Sequence, residues 1–380
     1  MSNTGGGHRA SAEALRAGFV EMYGDRVQVD VIDLLMEHLP WPLNWLPHTY
    51  TFLIQDTAWL WKLLWQTSKH PFTIRRLSML VARWGESDVI DVFEEYYPDL
   101  IISVHPLVQE FSLRALRRMG RRISFVTVVT DLATAHPLWF HPAVDACYVA
   151  SKEAYQRARR MGLRPGQLHL YGLPIHPVFA RPLSSQVVLR AQLGLDETLP
   201  AVLITSGGEG VGPIREIAEQ LNTQLVDNGR VLGQMIIICG RNASLQRQLA
   251  AQSWAIPVTI QGFVNNMHEW MAASDCIVTK AGPGTIAEAL TSGLPIILNG
   301  FIPGQEEGNV PYVLDNHVGV YHKTPAAIAA TIRRWFGEDG SEFEQIQIAA
   351  RSLGRPQATL QIVESIGDFL SLNAYQATAA

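Results

Sequence analysis

Short apolar runs alternate with helix-length amphipathic segments along the whole chain, and this alternation constrains the fold more than any other feature. Such a pattern is typical of βα units built around parallel sheets. The runs fall into two series. The first series predicts strands at 27–32, 100–104, 123–129 and 146–149, and the second at 201–205, 234–239, 257–260, 276–279 and 295–298. The sequence therefore predicts an α/β protein with two doubly wound sheets.

A proline-rich segment separates the two series. Residues 172–182 contain Pro174, Pro177 and Pro182, and proline is unfavourable both within helices and in central strands. The length of 380 residues also exceeds what one hydrophobic core usually supports. We therefore predict an N-terminal domain at 1–171, an interdomain linker at 172–184, a C-terminal domain at 185–355 and a last helix at 356–380 that returns to the N-terminal domain.

The composition argues against several classes of protein. Hydrophobic residues make up 47% of the chain and charged residues 17%, which is too apolar for a disordered protein. The net charge of -5 argues against nucleic-acid binding. Three isolated cysteines in apolar runs are expected to be reduced, buried thiols. The reduced thiols imply the cytoplasmic face. No apolar run approaches the roughly 20 residues that span a bilayer, so we expect any membrane contact to be peripheral.

Residues 39–84 interrupt the alternation. This insertion holds six of the ten tryptophans and too few turn signals for an ordinary connection. Its Trp59, Trp61 and Trp65 lie in a stretch that is apolar around much of a helix, which suits the membrane interface. A hydrophobic helix packed on the N-terminal domain is the alternative. Arginine clusters at 114–122 and 157–164 are expected to meet anionic headgroups, with solvated helix faces as the alternative.

Four glycine-centred loops stand where βα units are predicted, at 4–8, 207–213, 280–285 and 299–306. Glycine lets the backbone approach a diphosphate, and the N-terminus of a following helix adds about half a positive charge. Three of these loops lie in the second domain, which we therefore expect to bind a phosphorylated ligand beyond the carboxyl ends of its strands. Their spacing matches neither a P-loop nor a dinucleotide-binding GxGxxG motif, which argues against kinases and NAD-dependent dehydrogenases.

Two ionisable residues accompany these loops. His8 follows Gly6 and Gly7 at the predicted start of a helix, where the helix dipole would lower the pKa of the imidazole and keep it neutral. His8 is therefore a candidate general base, with a capping or surface role as the alternative. Glu288 lies one turn inside the helix that starts at Gly284, where its carboxylate can reach a sugar diol.

Short motifs are spread along nearly the whole chain. They are GGGHRASAEA at 5–14, WPLN at 41–44, IISVHPL at 101–107, TDL at 130–132, HPLWFH at 136–141, YGLP at 171–174, GGEG at 207–210, ICGRN at 238–242, TKAGPGTIAEA at 279–289, GQE at 304–306 and GNVPYV at 308–313. In residues and spacing this set resembles the monogalactosyldiacylglycerol synthases of glycosyltransferase family 28. The resemblance implies a GT-B fold of two Rossmann-like domains facing a central cleft, with the lipid acceptor on the N-terminal domain and the UDP-sugar on the C-terminal domain.

The resemblance also implies roles for individual residues. His8 would deprotonate the diacylglycerol hydroxyl, and Gln305 and Glu306 would hold the hydroxyls of the donor hexose. The residues implied for nucleotide binding are Gly207, Gly208, Glu209, Gly210, Arg241, Phe263, Lys280, Gly282, Pro283, Gly284, Thr285 and Glu288. The residues implied for the acceptor or lipid are Gly6, Gly7, Pro42, Asp131 and Trp139. Pro42 and Trp139 match positions that plant enzymes of this family use in responding to an anionic lipid activator. No metal or other cofactor is expected, since no Asp-x-Asp motif stands near the donor loops.

The predicted function is inverting transfer of galactose from UDP-galactose to the free hydroxyl of 1,2-diacylglycerol, which gives monogalactosyldiacylglycerol. The expected partners are these two substrates and anionic membrane lipids, with no nucleic acid. The open alternatives are a related enzyme that transfers glucose from UDP-glucose to diacylglycerol, or GlcNAc to a polyprenyl lipid, and a non-catalytic lipid-binding module of the same fold. We also expect the N-terminal sheet to need a strand before the first glycine loop, which only Met1, Ser2 and Asn3 precede.

Overall fold

The computed structural model describes residues 1–2, 6–45, 57, 59, 65–68, 70–337 and 341–372. These residues form two compact units. Unit 1 comprises Met1–Pro177, Ile302–Gly308 and the chain from Pro356 onward, and unit 2 comprises Val178–Phe301 and Asn309–Arg355. The change from the first unit to the second falls inside the predicted linker at 172–184. The segment Ile302–Gly308, which we predicted within the second domain, packs with unit 1 instead.

Unit 1 is built on a four-stranded parallel sheet. Its strands, in the order β1-β2-β3-β4, are β1 Leu100–Ser103, β2 Ser124–Val128, β3 Ala146–Val149 and β4 Leu168–Leu170. Its helices before the linker are α1 Gly7–Tyr23, α2 Pro71–Ala82, α3 Glu86–Tyr96, α4 Val108–Met119 and α5 Lys152–Arg160. Short helical turns lie at Gly24–Arg26, Leu34–His38, Leu43–Trp45, Pro137–Trp139 and Pro165–Gln167.

Both faces of this sheet are buried. On β2, Phe125 joins a cluster that includes Phe111 of α4, whereas Val126 joins the cluster of Leu15 on the opposite side. Successive strand residues point to opposite faces, so a strand that is covered on both sides is apolar at every position. This is why the strands of the first series read as continuous apolar runs.

The segment 27–32 is not a strand, contrary to our prediction. Its valines pack against the apolar cluster of α1, which accounts for the apolar pattern. Next to this segment lies Met1, whose amine donates to the Ile32 carbonyl at 2.8 Å. The Leu34 amide donates in turn to the Met1 carbonyl at 3.0 Å. An apolar pattern indicates that side chains are buried, but a segment can bury one side of its chain without pairing with a neighbouring strand.

Unit 2 contains a six-stranded parallel sheet in the order β12-β11-β10-β5-β8-β9. Its strands are β5 Ala201–Thr205, β8 Gln234–Ile238, β9 Val258–Gln261, β10 Cys276–Lys280, β11 Ile296–Gly300 and β12 Gly319–Tyr321, and β6 Val226–Asp227 pairs with β7 Arg230–Val231 in a separate antiparallel hairpin. Its helices are α6 Gln186–Leu193, α7 Ile214–Gln224, α8 Ala243–Ala250, α9 Met267–Ala273, α10 Pro283–Thr291, α11 Asn309–Asp315, α12 Pro325–Trp335 and α13 Ser341–Leu353, preceded by a turn at Pro177–Ala180.

The strand order of unit 2 indicates where a ligand would bind. The chain starts at the central strand β5, adds β8 and β9 on one side, and then returns to add β10, β11 and β12 on the other. The order in which the chain adds strands to the sheet therefore reverses between the parallel neighbours β5 and β10. In open α/β sheets, ligands bind beyond the carboxyl ends of the two strands at this reversal. The loops that follow β5 and β10 are the predicted glycine loops at 207–213 and 280–285.

The last helix, α14 Ala358–Phe369, belongs to unit 1 and packs on α1. A Cβ atom on Gly18 of α1 would lie 3.0 Å from Val363 and 3.1 Å from Thr359, so the two helices approach closely where α1 has no side chain. The Thr359 hydroxyl donates to the Ile175 carbonyl. Across the parts of the chain that the structure describes, we find no helix long and apolar enough to cross a bilayer.

Candidate active site

His8 is the second residue of α1 and its side chain is buried. The chain enters the helix through Gly6, which has a φ of 78° that glycine adopts without strain. The imidazole Nδ1 lies 2.8 Å from Oγ1 of Thr130, just beyond the end of β2. The ring of His105 meets it edge to face with centroids 4.5 Å apart, and Trp139 lies at 5.9 Å. Residues from three other motifs thus surround the imidazole of His8.

Burial is the main reason that His8 is uncharged. Desolvation lowers the pKa of His8 from 6.5 to about 4, and the backbone of Val104 opposes this only in part. The prediction that the dipole of α1 lowers this pKa is wrong as to the cause, because burial has the largest effect, although the pKa is lowered as predicted. The pKa of His105 is also lowered, first by burial and then by His8. A neutral imidazole can accept a proton at neutral pH, which is what a general base requires.

Trp139 and Asp131 form a buried pair beside His8. The indole Nε1 of Trp139 donates to the Asp131 carboxylate at 2.6 Å, and Gln109 donates to the Trp139 carbonyl. Burial raises the pKa of Asp131 to about 6, and the nearby carboxylate of Glu306 adds to this effect. Trp139 is fully buried. The resemblance implied a role for Trp139 in binding the acceptor or lipid, but its side chain is closed to solvent and contacts protein groups instead.

The predicted sugar-binding residues lie on the Ile302–Gly308 segment of unit 1. Glu306 is buried, and its carboxylate accepts from the Ile302 amide at 2.9 Å, which closes the segment on itself. Gln305 is half-buried. Gly304 has a φ of 80°, and a Cβ atom there would overlap the ring of Trp65. A Cβ atom on Gly308 would likewise overlap Thr134, so this segment packs closely on unit 1.

The glycines in front of His8 leave space open. Among the described residues, a Cβ atom on Gly6 or Gly7 would meet nothing within 4 Å, and both glycines are exposed. Pro42 is half-buried and lies just before the helical turn Leu43–Trp45. The peptide bond between the exposed Trp41 and Pro42 is cis.

The insertion presents an exposed apolar face on α2. Phe72, Leu77 and Leu80 of this helix are exposed, and so is Trp84 just after it. The guanidinium of Arg76 lies 4.1 Å from the centroid of the Phe72 ring. We call these five residues the α2 face.

The tryptophans predicted for the membrane interface are placed differently from one another. Trp59 is exposed, as that prediction requires. Trp65 is buried against the Ile302–Gly308 segment and lies 5.0 Å from the ring of His136, so its prediction as a membrane residue is wrong. A closely packed indole cannot also lie in a headgroup layer. Trp61 lies outside the described residues.

Most of the arginines described in the first cluster have protein partners. Arg114 and Arg118 pair with the buried Glu86, and Arg117 pairs with Glu110. Arg121 lies 3.5 Å from the centroid of the Tyr97 ring. These arginines therefore contact carboxylates of α3 and α4 and a ring just after α3, while Arg117 and Arg118 stay largely exposed, which agrees with the alternative of a solvated helix face.

In unit 2, the loop after β5 folds back on the loop after β8. Gly208 accepts a hydrogen bond from the Arg241 amide at 2.8 Å, and Glu209 pairs with the Arg241 guanidinium at 2.7 Å. A Cβ atom on Gly210 would overlap the Cys239 carbonyl, and its φ of 58° also favours glycine. The Arg241 guanidinium also lies 4.9 Å from the centroid of the Phe263 ring, which is otherwise exposed.

The loop after β10 leads directly into a helix N-terminus. Gly282 is the N-cap of α10 and Pro283 its first residue, so the first free amides are those of Gly284 and Thr285. The Lys280 side chain reaches the neighbouring loop, because a Cβ atom on Gly207 would lie 3.7 Å from its Cε. A lysine and free helix amides at the carboxyl ends of these strands can bind the negative charge of a diphosphate.

Glu288 lies one turn inside α10 and is half-buried. Burial raises the pKa of Glu288 to about 7. Its carboxyl group therefore ionises near neutral pH. Among the described residues we find no group of three or more His, Cys, Asp or Glu side chains arranged for a metal ion.

The structure thus brings several of the predicted site residues together within each unit, but among the described residues it shows no side-chain contact that joins Pro42 or Glu288 to them. In unit 1, His8 lies near Trp139 and Asp131, and Asp131 lies near Glu306. In unit 2, the loops after β5, β8 and β10 meet at the strand reversal. Sequence reasoning missed Thr130, His105 and Trp65 as neighbours of these residues. Thr130 and His105 lie in the motifs at 130–132 and 101–107, but the sequence predicted no role for them. Their contact with His8 arises only when distant strands assemble.

Comparison with known proteins identifies the family. The family profile for monogalactosyldiacylglycerol (MGDG) synthase matches residues 8–175, and that for the glycosyltransferase family 28 C-terminal domain matches residues 201–315. Monogalactosyldiacylglycerol synthase 1, chloroplastic, of Arabidopsis thaliana is 47% identical over 378 residues, which cover 97% of this chain and 70% of that protein. The chain belongs to the monogalactosyldiacylglycerol synthase family. The Spinacia oleracea member of this family is 48% identical, with 97% of this chain and 72% of that protein covered.

Solved structures support the fold of this MGDG synthase family member. MurG of Acinetobacter baumannii matches with a TM-score of 0.55 and 15% identity, over 75% of this chain and 77% of that chain. The MnaA–UDP structure from S. aureus matches with a TM-score of 0.55 and 14% identity, over 78% of this chain and 82% of that chain. These similarities confirm the predicted α/β fold of the GT-B type.

Proposed function

We propose that this protein is an inverting galactosyltransferase that moves galactose from UDP-galactose to the free hydroxyl of 1,2-diacylglycerol. The observation that carries the proposal is a neutral, buried His8 at the open start of α1, in a member of the MGDG synthase family. A base at such a place suits the deprotonation of an alcohol that enters over Gly6 and Gly7. The product is monogalactosyldiacylglycerol.

In the proposed reaction, His8 accepts the proton of the lipid hydroxyl as its oxygen forms a bond to C1 of galactose. The bond from C1 to the UDP oxygen breaks at the same time, and UDP leaves from the opposite face of the sugar. Direct displacement of this kind inverts C1 and needs a base on one face and stabilisation of the diphosphate on the other. The reaction requires the lipid on unit 1 and the sugar nucleotide on unit 2 to come together.

We propose that the departing diphosphate is stabilised without a metal ion. The free amides of Gly284 and Thr285 and the ammonium group of Lys280 supply positive charge at the edge of the unit 2 sheet. Addition of a chelator such as EDTA is then expected to leave the transfer rate unchanged. A rate that collapses in EDTA and returns with Mg²⁺ would contradict this part of the proposal.

The donor sugar is tested by offering UDP-galactose and UDP-glucose in parallel, with diacylglycerol in mixed micelles. We expect galactose to be transferred at least about 10-fold faster, because hydroxyl recognition by a polar site discriminates strongly. Glu306→Ala should reduce this ratio, whereas Glu307→Ala, at the exposed neighbouring position, should keep it. Faster transfer of glucose would establish the glucosyltransferase alternative. UDP binding without transfer of either sugar would leave a non-catalytic lipid-binding module.

We further propose that unit 1 docks on anionic bilayers as a peripheral protein through the α2 face. The support for this is that large apolar side chains and Arg76 are exposed on one helix, a combination that favours the bilayer interface. Arg83 is also exposed next to Trp84. Each basic residue near an anionic surface contributes about 1 kcal/mol to binding.

Co-sedimentation with vesicles that contain phosphatidylglycerol tests this docking. The combined variant Phe72→Ser, Leu80→Ser and Trp84→Ser is expected to pellet much less than the parent, and added salt should weaken binding further. Val187→Ser serves as the control, because Val187 is an exposed apolar residue of unit 2. Undiminished pelleting of the triple variant would rule out the α2 face as the docking surface.

A further inference from the structure

A buried hydroxyl group holds the proposed base. Oγ1 of Thr130 lies 2.8 Å from Nδ1 of His8, and both side chains are buried. Thr130 follows β2, whose hydrogen bonds to β1 and β3 fix the position of its backbone. His105 packs edge to face on the same imidazole. The Trp139 ring lies 5.9 Å from this imidazole, and the Val104 backbone also interacts with it, so the ring has little freedom to rotate.

The carboxylate next in sequence does not take this place. Asp131 directs Oδ2 to the indole Nε1 of Trp139 at 2.6 Å. The group in hydrogen-bond contact with the imidazole is therefore an uncharged hydroxyl. A carboxylate there would favour the imidazolium form, whereas a hydroxyl can orient the ring without adding charge.

We propose that Thr130 is the positioning residue of the base: its hydroxyl accepts from Nδ1–H of His8, which fixes the tautomer and leaves Nε2 to take the proton of the acceptor. This inference rests on the proposed function, in which His8 is the base. An imidazole carries one proton when neutral, so a hydrogen bond that holds this proton on Nδ1 keeps the lone pair on Nε2. The lowered pKa of His8 agrees with a neutral ring held by an uncharged group.

The same strand supplies a matched control. Thr127 lies on β2, is fully buried, and has a hydroxyl for which the described structure shows no hydrogen-bond partner. Thr127→Val and Thr130→Val therefore make the same chemical change in the same strand region. They differ in whether the lost hydroxyl touches His8. Thr130→Ser restores the hydroxyl and removes only a methyl group.

The first experiment compares the transfer rates of these variants. Thr130→Val is expected to lower kcat by about 10-fold or more, which is less than the roughly 10²- to 10⁴-fold loss expected when the base itself is removed. Thr130→Ser and Thr127→Val should stay within about threefold of the parent, and all variants should bind UDP equally well. Parent-like turnover of Thr130→Val would overturn the inference, and so would equal impairment of the Ser and Val variants.

A second readout does not depend on transfer. In protein labelled with ¹⁵N-histidine, the His8 signals are identified by their loss in His8→Gln. The parent should show Nδ1 protonated, and Thr130→Val should show a mixture of tautomers. A parent ring protonated on Nε2, or an unchanged tautomer in Thr130→Val, would refute the positioning role. A parent that transfers no sugar would defeat the proposed function, while this spectrum would still decide the role of Thr130.

Discussion

Replacing Trp139 by Phe should destabilise unit 1 in a pH-dependent way. The substitution removes the indole N–H that donates to Asp131 at 2.6 Å and keeps an aromatic ring in the core. A hydrogen bond to a charged group contributes about 1.5 to 3 kcal/mol, and the smaller ring adds a packing loss of about 1 kcal/mol. We therefore expect the free energy of unfolding to fall by about 2 to 4 kcal/mol above pH 7, where Asp131 is ionised.

The sign of the pH dependence follows from the carboxylate. Burial raises the pKa of Asp131 from 3.8 to about 6, so the ionised form opposes folding above about pH 6 and this cost disappears as the pH falls. The indole N–H stabilises the ionised form, and its removal raises the pKa of Asp131 further. The penalty of Trp139→Phe should therefore be largest near pH 8 and smaller near pH 5, where Asp131 is protonated in the folded state.

Urea unfolding followed by circular dichroism measures these penalties for Trp139→Phe, Asp131→Asn and the double variant. Asp131→Asn alone should stabilise the protein near pH 8 by up to about 3 kcal/mol, which is the free-energy equivalent of a pKa shift of roughly two. The effect of Trp139→Phe should be smaller in the Asn background. An identical penalty at both pH values and in both backgrounds would refute this reasoning.

Two further predictions concern the nucleotide site. Since burial raises the pKa of Glu288 to about 7, the affinity for UDP should increase between about pH 6 and pH 8 as the carboxylate ionises. Glu288→Gln should lose this increase, whereas the effect of the titration of UDP itself should be the same in both proteins. Calorimetry at both pH values measures the two affinities, and parallel pH profiles of the parent and the variant would contradict the prediction. Gly210→Ala should weaken UDP binding by about 10-fold or more, because its Cβ would overlap the Cys239 carbonyl, whereas Gly166→Ala, with open space around its Cβ, should bind UDP like the parent.

Apolar patterning predicted most of the sheet framework but not every strand. The predicted strands at 146–149 and 201–205 coincide with β3 and β5, since both are central and buried on both faces. β4 and β12 were missed because they are three-residue edge strands with little apolar signal. The segment 27–32 was predicted wrongly, because its valines are buried by contact with the α1 cluster rather than within a strand.

The glycine loops could be predicted because glycine adopts backbone conformations that other residues adopt only with strain. Gly207 and Gly210 have positive φ values, and they lie at the strand reversal to which the alternating pattern pointed. The surroundings of His8 could not be predicted, since Thr130 and His105 reach it through tertiary packing across about a hundred residues of sequence. Burial of Trp65 was equally hidden, because an apolar ring suits a bilayer and a core alike.

Transfer of galactose by the parent and by His8→Ala tests the central claim most directly. With UDP-galactose and diacylglycerol in mixed micelles, the parent should form monogalactosyldiacylglycerol, and His8→Ala should lose about 10²- to 10⁴-fold in rate, the usual effect of removing a general base. UDP affinity should be the same in both proteins, because the nucleotide loops lie in unit 2. A His8→Ala variant that transfers galactose within about threefold of the parent rate would contradict the assignment of His8 as the base.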